Sequence, residues 1–285
     1  MLSNIRIGRT TSSGCSPLLD SDKREMTIKE LEEYKRLNPK GRSKLIEDKN
    51  LLSASAMNYI KDKNKEFRLK RRLEKDDSGK AALWGKLVES WLMNERPEII
   101  GYEHTLTPNI TTIHPIYNFH CGSRDGFNNL TNAVDDIKCP YTLESYSEFA
   151  ELHEKISLAN ANVTDALING IDYEGINYYH KDGYKYYCQL LSNACIAGVD
   201  KAELIIFIPT IEQLDDIKQY ASDGDLENYQ DYYYIAMANN ESLPYLPLDA
   251  EYSNKIVFNL TFTTEEIEHF NNKIKLAGNY LLINK

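Results

Sequence analysis

Four short segments of the chain place an acidic residue two positions before a lysine. They are Glu33-Lys35, Glu47-Lys49, Asp136-Lys138 and Asp216-Lys218. A carboxylate and an ammonium group that project together can hold a metal ion and position a water molecule, which is the chemistry of metal-assisted phosphodiester hydrolysis. The tetrapeptide Asp-Asp-Ile-Lys occurs twice, at 135–138 and 215–218, so the pattern alone does not select a site.

The local context favours the pair at 136 and 138. Residues 134–138 have the composition of a short strand, in which side chains two positions apart lie on the same face. Residues 215–218 lie in a helix-type segment, where side chains two apart face different directions. The other two pairs lie in polar helical or loop segments. Spacing alone leaves one alternative open, namely that Asp136 and Lys138 form a surface ion pair contributing less than about 1 kcal/mol.

A second carboxylate, Asp125, precedes Asp136 by 11 positions and lies beside Gly126. This spacing fits two neighbouring strands that bring both carboxylates to one place. Two carboxylates at low dielectric repel each other unless a cation lies between them. Mg²⁺ suits such a site because it binds a few carboxylates and keeps several waters. We therefore expect a Mg²⁺ site here, in which Mn²⁺ substitutes.

The elements around these residues alternate in type. Spacing of apolar residues and capping patterns predict helices near 27–38, from 53 to 72, and at 81–93, 145–158, 184–197, 211–220 and after 263. β-Branched and aromatic runs predict strands within 99–117 and at 134–138, 202–208, 232–237 and 255–262. The order predicts an α/β (α+β) fold with a central mixed β-sheet flanked by helices and a helical N-terminal extension. We divide the chain into a flexible arm (1–25), a basic helical extension (26–80) and a core (81–285).

Charge and cysteine content narrow the classes of protein. Residues 1–80 contain 20 Lys and Arg against 13 Asp and Glu, whereas the whole chain has a net charge of −10. A basic front part joined to an acidic remainder is compatible with a nucleic-acid partner or with a solvated helix surface. The five scattered cysteines indicate reduced thiols rather than a disulfide frame. We find no signal-peptide core and no membrane-spanning run, and so expect a cytoplasmic protein with no membrane partner.

Two motifs resemble a known family of nucleases. The sequence Gly-Ser-Arg-Asp-Gly-Phe at 122–127, followed by Asp-Ile-Lys-Cys-Pro at 136–140, resembles the core of the YqaJ-type viral recombinase exonucleases. These form the lambda-exonuclease branch of the PD-(D/E)XK superfamily, which has a restriction-endonuclease-like core. Leu-Ser-Ala-Ser at 52–55, Gly-Lys-Leu-Val-Glu at 85–89 and Tyr-Tyr-Cys-Gln at 186–189 resemble further motifs of that family. The first of these also resembles RecE-like exonucleases.

The resemblance implies a role for each matching residue. The implied metal ligands are Glu89, Asp125, Asp136 and the carbonyl of Ile137; the implied catalytic lysine is Lys138; the implied DNA-binding residues are Ser53, Ser55 and Gln189. Each side chain also has an ordinary structural interpretation. Glu89 can be an exposed charge on a helix, Gln189 a surface amide, and one of the two serines a helix cap.

Three positions depart from the family's pattern. Arg124 stands where a proline or an apolar residue is usual, and Asp136 stands where this branch more often has glutamate. RecE-like members carry histidine at the position of Glu89. The basic residue that binds a 5′ phosphate is not placed by the resemblance, and Arg42, Lys44 and Lys49 are candidates. The departures concern the subfamily more than the catalytic site.

The activity implied by the resemblance is a Mg²⁺-dependent exonuclease that degrades linear double-stranded DNA from its ends in the 5′ to 3′ direction. It implies a role in phage-type recombination, a single-strand annealing protein as partner, and a homo-oligomer, a trimer by analogy. Two alternatives stay open. One is a structure- or site-specific endonuclease on the same fold, and the other is a catalytically inactive DNA-binding protein.

Overall fold

The protein is described here from a computed structural model, which covers residues 4–19, 28–38, 52–73, 79–107, 110–223, 226 and 229–285. Its helices are α1 (Ser16–Leu19), α2 (Ile28–Arg36), α3 (Ala54–Leu69), α4 (Lys80–Asn94), α5 (Pro97–Ile100), α6 (Leu143–Ala159), α7 (Val163–Asn169), α8 (Gly183–Ala197), α9 (Ile211–Ala221), α10 (Tyr229–Ala236) and α11 (Thr264–Gly278). Its strands are β1 (Thr10–Thr11), β2 (His104–Leu106), β3 (Thr112–Ile113), β4 (His120–Gly122), β5 (Gly126–Asn128), β6 (Ala133–Lys138), β7 (Ile171–Tyr173), β8 (Ile176–Tyr178), β9 (Lys201–Phe207) and β10 (Lys255–Thr261). In these described ranges, no helix combines the length and the apolar character that crossing a membrane requires.

A five-stranded mixed sheet forms the centre of the molecule, with the strand order β10-β9-β6-β5-β2. Strands β6 and β9 pair in parallel, whereas the other neighbouring pairs are antiparallel. A parallel pair requires a long crossover connection, and helices α6, α7 and α8 lie in the connection between β6 and β9. The crossover therefore places α8 against the strand that carries Asp136.

Two apolar clusters lie on the two faces of this sheet. Along β9, Leu204 and Ile206 belong to one cluster, and Ile205 and Phe207 to the other, as expected for side chains that alternate between faces. Helices α6, α8 and α11 pack in the first cluster, and α4, which contributes Trp84, packs in the second. The predicted α/β class, with a central mixed sheet flanked by helices, is confirmed.

The N-terminal segment corrects one prediction. The flexible arm predicted for 1–25 is wrong for residues 4–19, because Cys15 and Leu18 are buried in the main apolar cluster and β1 pairs with β4. The polar residues that suggested a loose arm are paired instead. Thr10 Oγ1 lies 2.8 Å from His120 Nδ1, and Ser12 Oγ lies 2.7 Å from Ser192 Oγ.

The helical prediction for the next segment is confirmed for α2 and α3. Helix α3 buries Ala56 and Ile60 in the same cluster as the sheet residues. Helix α3 thus shares its apolar core with the residues that follow position 80. The boundary predicted at residue 80 coincides with a change of charge along the chain, and its role as a domain boundary stays a prediction. The candidates Arg42, Lys44 and Lys49 lie outside the described residues.

Most other elements agree with the sequence prediction to within two residues at each end, but the strand predicted at 232–237 is wrong. These residues form the second half of α10, in which Ile235 is buried in the second cluster and Tyr233 is 57% exposed. Aromatic and β-branched residues favour strands locally, and here the packing of one helical face outweighs that preference. The described residues of 99–117 are also less extended than predicted, since they begin within α5 and form the short strands β2 and β3.

Candidate active site

Strands β5 and β6 bring Asp125 to the end of β6. Gly126 pairs with Asp135 in the antiparallel register, and the Asp125 amide donates to the Asp135 carbonyl at 3.0 Å. A Cβ at Gly126 would lie 2.7 Å from Asp135 Oδ2 and 3.1 Å from Leu106 Cδ2, so a larger residue would require these two side chains to move. One oxygen of the Asp125 carboxylate accepts a hydrogen bond from the Ile137 amide at 2.7 Å. The predicted meeting of Asp125 with the 136–138 segment is confirmed as geometry.

Asp136 and Lys138 project from the same face of β6, as the strand prediction requires. Lys138 Nζ lies 2.5 Å from Asp136 Oδ2 and donates to the Ile137 carbonyl at 3.2 Å. Asp136 is 1% exposed. The interpretation of this pair as a surface ion pair is therefore excluded by its burial.

Helix α8 supplies a partner for Asp136. Gln189 Nε2 donates to Asp136 Oδ1 at 2.5 Å, and Gln189 is itself buried. The interpretation of Gln189 as a surface amide is therefore wrong. Its contact with the carboxylate holds Asp136 in place, while its predicted contact with DNA stays a prediction.

Glu89 reaches this group of charges from α4. Burial raises the pKa of Glu89 to about 7, and Asp136 raises it further while Lys138 opposes the shift. Burial also raises the pKa of Asp125, and the carboxylates of Glu89 and Asp136 add to this effect. Such mutual effects require the three carboxylates to lie close together. A carboxylate exposed on a helix surface would show neither the effect of burial nor that of the neighbouring carboxylates on its pKa.

Lys138 responds in the opposite sense. Burial alone would lower the pKa of Lys138, but Asp136, Asp125 and Glu89 together outweigh burial and raise it. The lysine is therefore a permanent cation at neutral pH. One ammonium group faces three carboxylates, so the cluster has an excess of negative charge at low dielectric.

The residues of this cluster fit a divalent metal ion. Asp136 Oδ2 is buried and has no hydrogen bond of normal geometry, although it lies in ion-pair contact with Lys138. A single ammonium group cannot neutralise three ionised carboxylates, and a hard cation with oxygen ligands would favour the ionised form of all three. The available oxygens come from Glu89, Asp125, Asp136 and the Ile137 carbonyl.

An open cleft with a volume of about 310 Å³ gives access to the cluster. Residues from α4, the end of β6, α6 and α8 line it, among them Glu89, Lys138 and Tyr186. The Lys138 ammonium group also lies 5.6 Å from the centre of the Tyr186 ring. The cleft thus leads from the surface to the charged end of β6.

The two serines near the N-terminus of α3 have different environments. Ser53 caps α3, because its hydroxyl accepts from the Ala56 amide at 3.0 Å and donates to the Pro17 carbonyl at 3.2 Å. Ser53 is 1% exposed. The capping interpretation is therefore confirmed for Ser53. Ser55 Oγ lies 2.8 Å from Ser53 Oγ, and DNA binding by either serine stays a prediction.

Arg6 is a basic residue near the cluster that the sequence did not indicate. Its Nη2 donates to Ser123 Oγ at 2.9 Å, two positions before Asp125, and its Nε is buried without a hydrogen-bond partner. Asn193 of α8 donates to the Ser123 carbonyl at 3.2 Å. Arg6 lies in the segment that was predicted to be a loose arm, and no local signal connects it to residue 123.

The other copies of the acidic-x-lysine pattern lie elsewhere. Asp216 and Lys218 lie on α9, where Asp216 pairs with Arg96 at 2.5 Å and Lys218 donates to the Ala238 carbonyl at 2.7 Å. Glu33 and Lys35 are exposed on α2, and the pair at 47 and 49 lies outside the described residues. The choice of 136–138 from strand context agrees with this arrangement.

Comparisons with known proteins gave matches among solved structures. No protein-family model matches the chain, and no curated protein matches it. The chain is similar to an alkaline exonuclease from Laribacter hongkongensis, with 12% identity over 95% of this chain and 87% of that one and a TM-score of 0.47. The same enzyme in complex with dAMP matches with 11% identity over 97% and 92% of the two chains and a TM-score of 0.47. A phage-related exonuclease from Haemophilus somnus 129PT matches with 11% identity over 95% and 92% and a TM-score of 0.49.

Proposed function

We propose that this protein is a metal-dependent deoxyribonuclease of the PD-(D/E)XK type that hydrolyses phosphodiester bonds at the ends of linear double-stranded DNA. The observation that carries the proposal is the convergence of Asp125, Asp136 and Lys138 at one end of β6. Glu89 of α4 joins them through the electrostatic coupling described above. A structural ion pair needs one carboxylate and one ammonium, whereas this buried group holds three carboxylates around one lysine.

Glu89, Asp125, Asp136 and the Ile137 carbonyl would hold the metal, which we expect to be Mg²⁺, with Mn²⁺ as a substitute. When bound, the metal lowers the pKa of a coordinated water and withdraws charge from the phosphate. The chain's own residues set the geometry. Gln189 fixes the rotamer of Asp136, and the Ile137 amide fixes that of Asp125.

We propose that Lys138 acts on the attacking water and on the phosphate. Its ammonium group lies beside Asp136 and the Ile137 carbonyl, so it can orient a water by hydrogen bonding and neutralise charge that develops on the phosphate. As an ammonium group it can stabilise negative charge on the phosphate without transferring a proton.

Arg6 is a basic residue beside the candidate active site. Its Nη2 donates to Ser123 Oγ, two positions before Asp125, and its side chain is only partly buried, so its outer N–H groups can donate to a phosphate oxygen. We therefore propose Arg6, in addition to the three candidates within 39–51, as a contact for the DNA backbone.

The finer features remain proposals that rest on the resemblance of the motifs at 122–127 and 136–140. They are the 5′ to 3′ direction, the role in phage-type recombination, the homo-oligomer (a trimer by analogy), the single-strand annealing partner and the cytoplasmic location. Each is separable from the catalytic proposal, which depends only on the residues at the end of β6.

The deciding experiment compares end-labelled linear duplex DNA with covalently closed circular DNA, each with Mg²⁺ or with EDTA. The wild type is expected to degrade the linear DNA from its ends, to leave circles intact, and to lose activity in EDTA. The variant Lys138→Ala should lose activity by about a hundredfold or more. Lys218→Ala, which removes the lysine of the second Asp-Asp-Ile-Lys copy, is the matched control and should retain activity.

Two other outcomes have distinct meanings. Cleavage of closed circles that depends on Lys138 would assign an endonuclease to the same site. If neither DNA is cut with Mg²⁺ or Mn²⁺, the catalytic proposal is wrong and DNA binding without catalysis takes its place.

A further inference from the structure

A second cluster of ionisable residues lies across strands β2, β6 and β9 of the central sheet. It contains His104 of β2, Asp135 of β6 and Glu203 of β9, whose ligand atoms all lie within 4.8 Å of one another. Their side chains are 5%, 0% and 6% exposed, respectively. Asp135 and Asp136 are neighbours on a strand, so their side chains lie on opposite faces of the sheet. The cluster is therefore distinct from the group around Asp136.

The hydrogen bonds around His104 define its neutral tautomer. The side-chain oxygen of Asn128 accepts from the amides of residues 130 and 131, which fixes the orientation of the Asn128 amide. Its NH₂ group donates to Glu203 at 3.0 Å and faces His104 Nε2 at 3.5 Å. On the other side of the ring, His104 Nδ1 lies 2.8 Å from Asp135 Oδ2. These neighbours assign the N–H to Nδ1, where it donates to Asp135, and leave a lone pair on Nε2.

This lone pair points toward negative charge. Glu103 Oε1 lies 3.5 Å from His104 Nε2, and Glu203 Oε2 lies 4.0 Å from it. A lone pair between two carboxylates is an unfavourable arrangement unless a cation joins them. The second oxygen of the Asp135 carboxylate, Oδ1, is in addition buried without a hydrogen-bond partner. The cluster therefore has excess negative charge and an unsatisfied acceptor in a buried place.

We propose that His104 Nε2, Glu103 and Glu203 bind one divalent transition-metal ion, with Zn²⁺ the best fit to this donor set. An imidazole nitrogen with carboxylate oxygens is a common zinc ligand set, and metal–ligand bonds of ~2.0–2.1 Å in a tetrahedral site place ligand atoms about 3.3 Å apart. The separations of 3.5 Å and 4.0 Å from His104 Nε2 to Glu103 and Glu203 are close to that value, whereas Glu103 and Glu203 lie farther from each other, so the 38% exposed Glu103 side chain has to turn inward to complete the site.

Asp135 acts in this site as a positioning residue. A metal-bound histidine usually donates its other N–H to a carboxylate, which orients the ring and increases its basicity, and the contact between His104 Nδ1 and Asp135 has this arrangement. The ion would join β2, the edge strand of the sheet, to the interior strand β9. Such a site stabilises the fold and does not depend on the proposed nuclease function.

The test uses the full chain with the candidate catalytic ligands removed by Asp125→Asn and Asp136→Asn, so that the active site does not contribute to metal binding. Equilibrium dialysis against Zn²⁺ is expected to give one Zn²⁺ per chain. X-ray absorption at the zinc edge should show nitrogen and oxygen ligands with no sulfur, which separates this site from binding by the free cysteines. Adding His104→Gln should weaken binding by about tenfold to a hundredfold. His153→Gln, a half-buried histidine of α6, is the matched control and should leave binding unchanged.

A second variant keeps the test decisive if His104→Gln does not fold. The Glu103 side chain is 38% exposed, so Glu103→Gln is expected to fold and to weaken Zn²⁺ binding by about tenfold. Zn²⁺ should also raise the Tm of the background protein more than that of Glu103→Gln. The proposal is overturned if the background protein binds no Zn²⁺, if sulfur ligands appear, or if Glu103→Gln binds as tightly as the control.

Discussion

The tetrapeptide Asp-Asp-Ile-Lys occurs in β6 and again in α9, and its aspartate and lysine side chains make different contacts in the two copies. In β6, Asp136 and Lys138 point the same way, are in contact, and join Asp125 and Glu89. In α9, Asp216 pairs with Arg96 on the surface, whereas Lys218 turns toward the Ala238 carbonyl. Side chains two apart coincide in a strand and diverge by roughly 200° on a helix. Chemical capability here follows from the backbone period, since the residue types are identical.

The largest expected difference between the two copies appears when one carboxylate is removed from each. Asp136→Asn is expected to lower nuclease activity by about a hundredfold to a thousandfold, because it removes a metal ligand and the partner of Lys138. Asp216→Asn should leave activity within about twofold of the wild type. Initial rates on end-labelled linear DNA at saturating Mg²⁺ measure both. Equal losses in the two variants would contradict the assignment of the site to β6.

The second prediction concerns the residue that holds Asp136 in place. Gln189→Leu removes the donor to Asp136 Oδ1 and is expected to weaken Mg²⁺ binding by about tenfold to a hundredfold, as loss of a residue that orients a metal ligand typically does. Activity measured against Mg²⁺ concentration should show a higher requirement for the metal and partial recovery at high Mg²⁺. The surface substitution Gln219→Leu on α9 is the control. An unchanged Mg²⁺ requirement in Gln189→Leu would remove Gln189 from the site.

The third prediction concerns Glu89, which lies beside the β6 copy and should make the stability of the protein depend on pH. Burial raises the pKa of Glu89 to about 7 from an ordinary value of 4.5, so the folded protein binds this proton more tightly than the unfolded chain does. Glu89 therefore increases the free energy of unfolding at low pH, and this contribution is lost as the pH rises from about 4.5 through about 7.

Thermal unfolding of the metal-free protein between pH 4.5 and pH 8 tests this dependence. Other buried groups also titrate, since burial lowers the pKa of His120 to about 3 and acts on stability in the opposite sense. The comparison is therefore the difference between wild type and Glu89→Gln, which should grow in favour of the variant as the pH rises. Glu212→Gln on α9 should follow the wild type. A difference that does not vary with pH would show that Glu89 is not buried among the other carboxylates.

The smallest effect is expected in the helical copy. Asp216 and Arg96 are each close to half exposed, and water and salt screen exposed ion pairs strongly. Asp216→Ala should therefore leave the midpoint of urea unfolding close to that of the wild type, with a still smaller difference at high salt. A large fall in the midpoint would mean that α9 depends on this pair more than its exposure indicates.

Local patterns accounted for much of the fold. Capping at Thr263 and Glu266 placed the start of α11, and short runs rich in β-branched residues placed β6 and β9. The predictions failed where distant contacts outweighed local preference. Residues 4–19 looked like a polar arm, yet Thr10 and Ser12 find buried partners on β4 and α8. The aromatic run around Tyr233 looked extended and forms a helix because one face packs against the core.

Local sequence sets the alignment of the side chains at the end of β6. The strand period puts Asp136 and Lys138 on one face, and the pairing of Gly126 with Asp135 brings Asp125 to the same place; both follow from residues fewer than 15 positions apart. The resemblance of the motifs at 85–89 and 186–189 indicated Glu89 and Gln189, whereas their positions beside this group depend on the packing of α4 and α8. The position of Arg6 and the group of His104, Asp135 and Glu203 follow only from the tertiary structure. The physical reason is that local sequence sets the repeat of the backbone and so the face on which each side chain lies. The packing of helices and strands sets which side chains from distant parts of the chain come into contact.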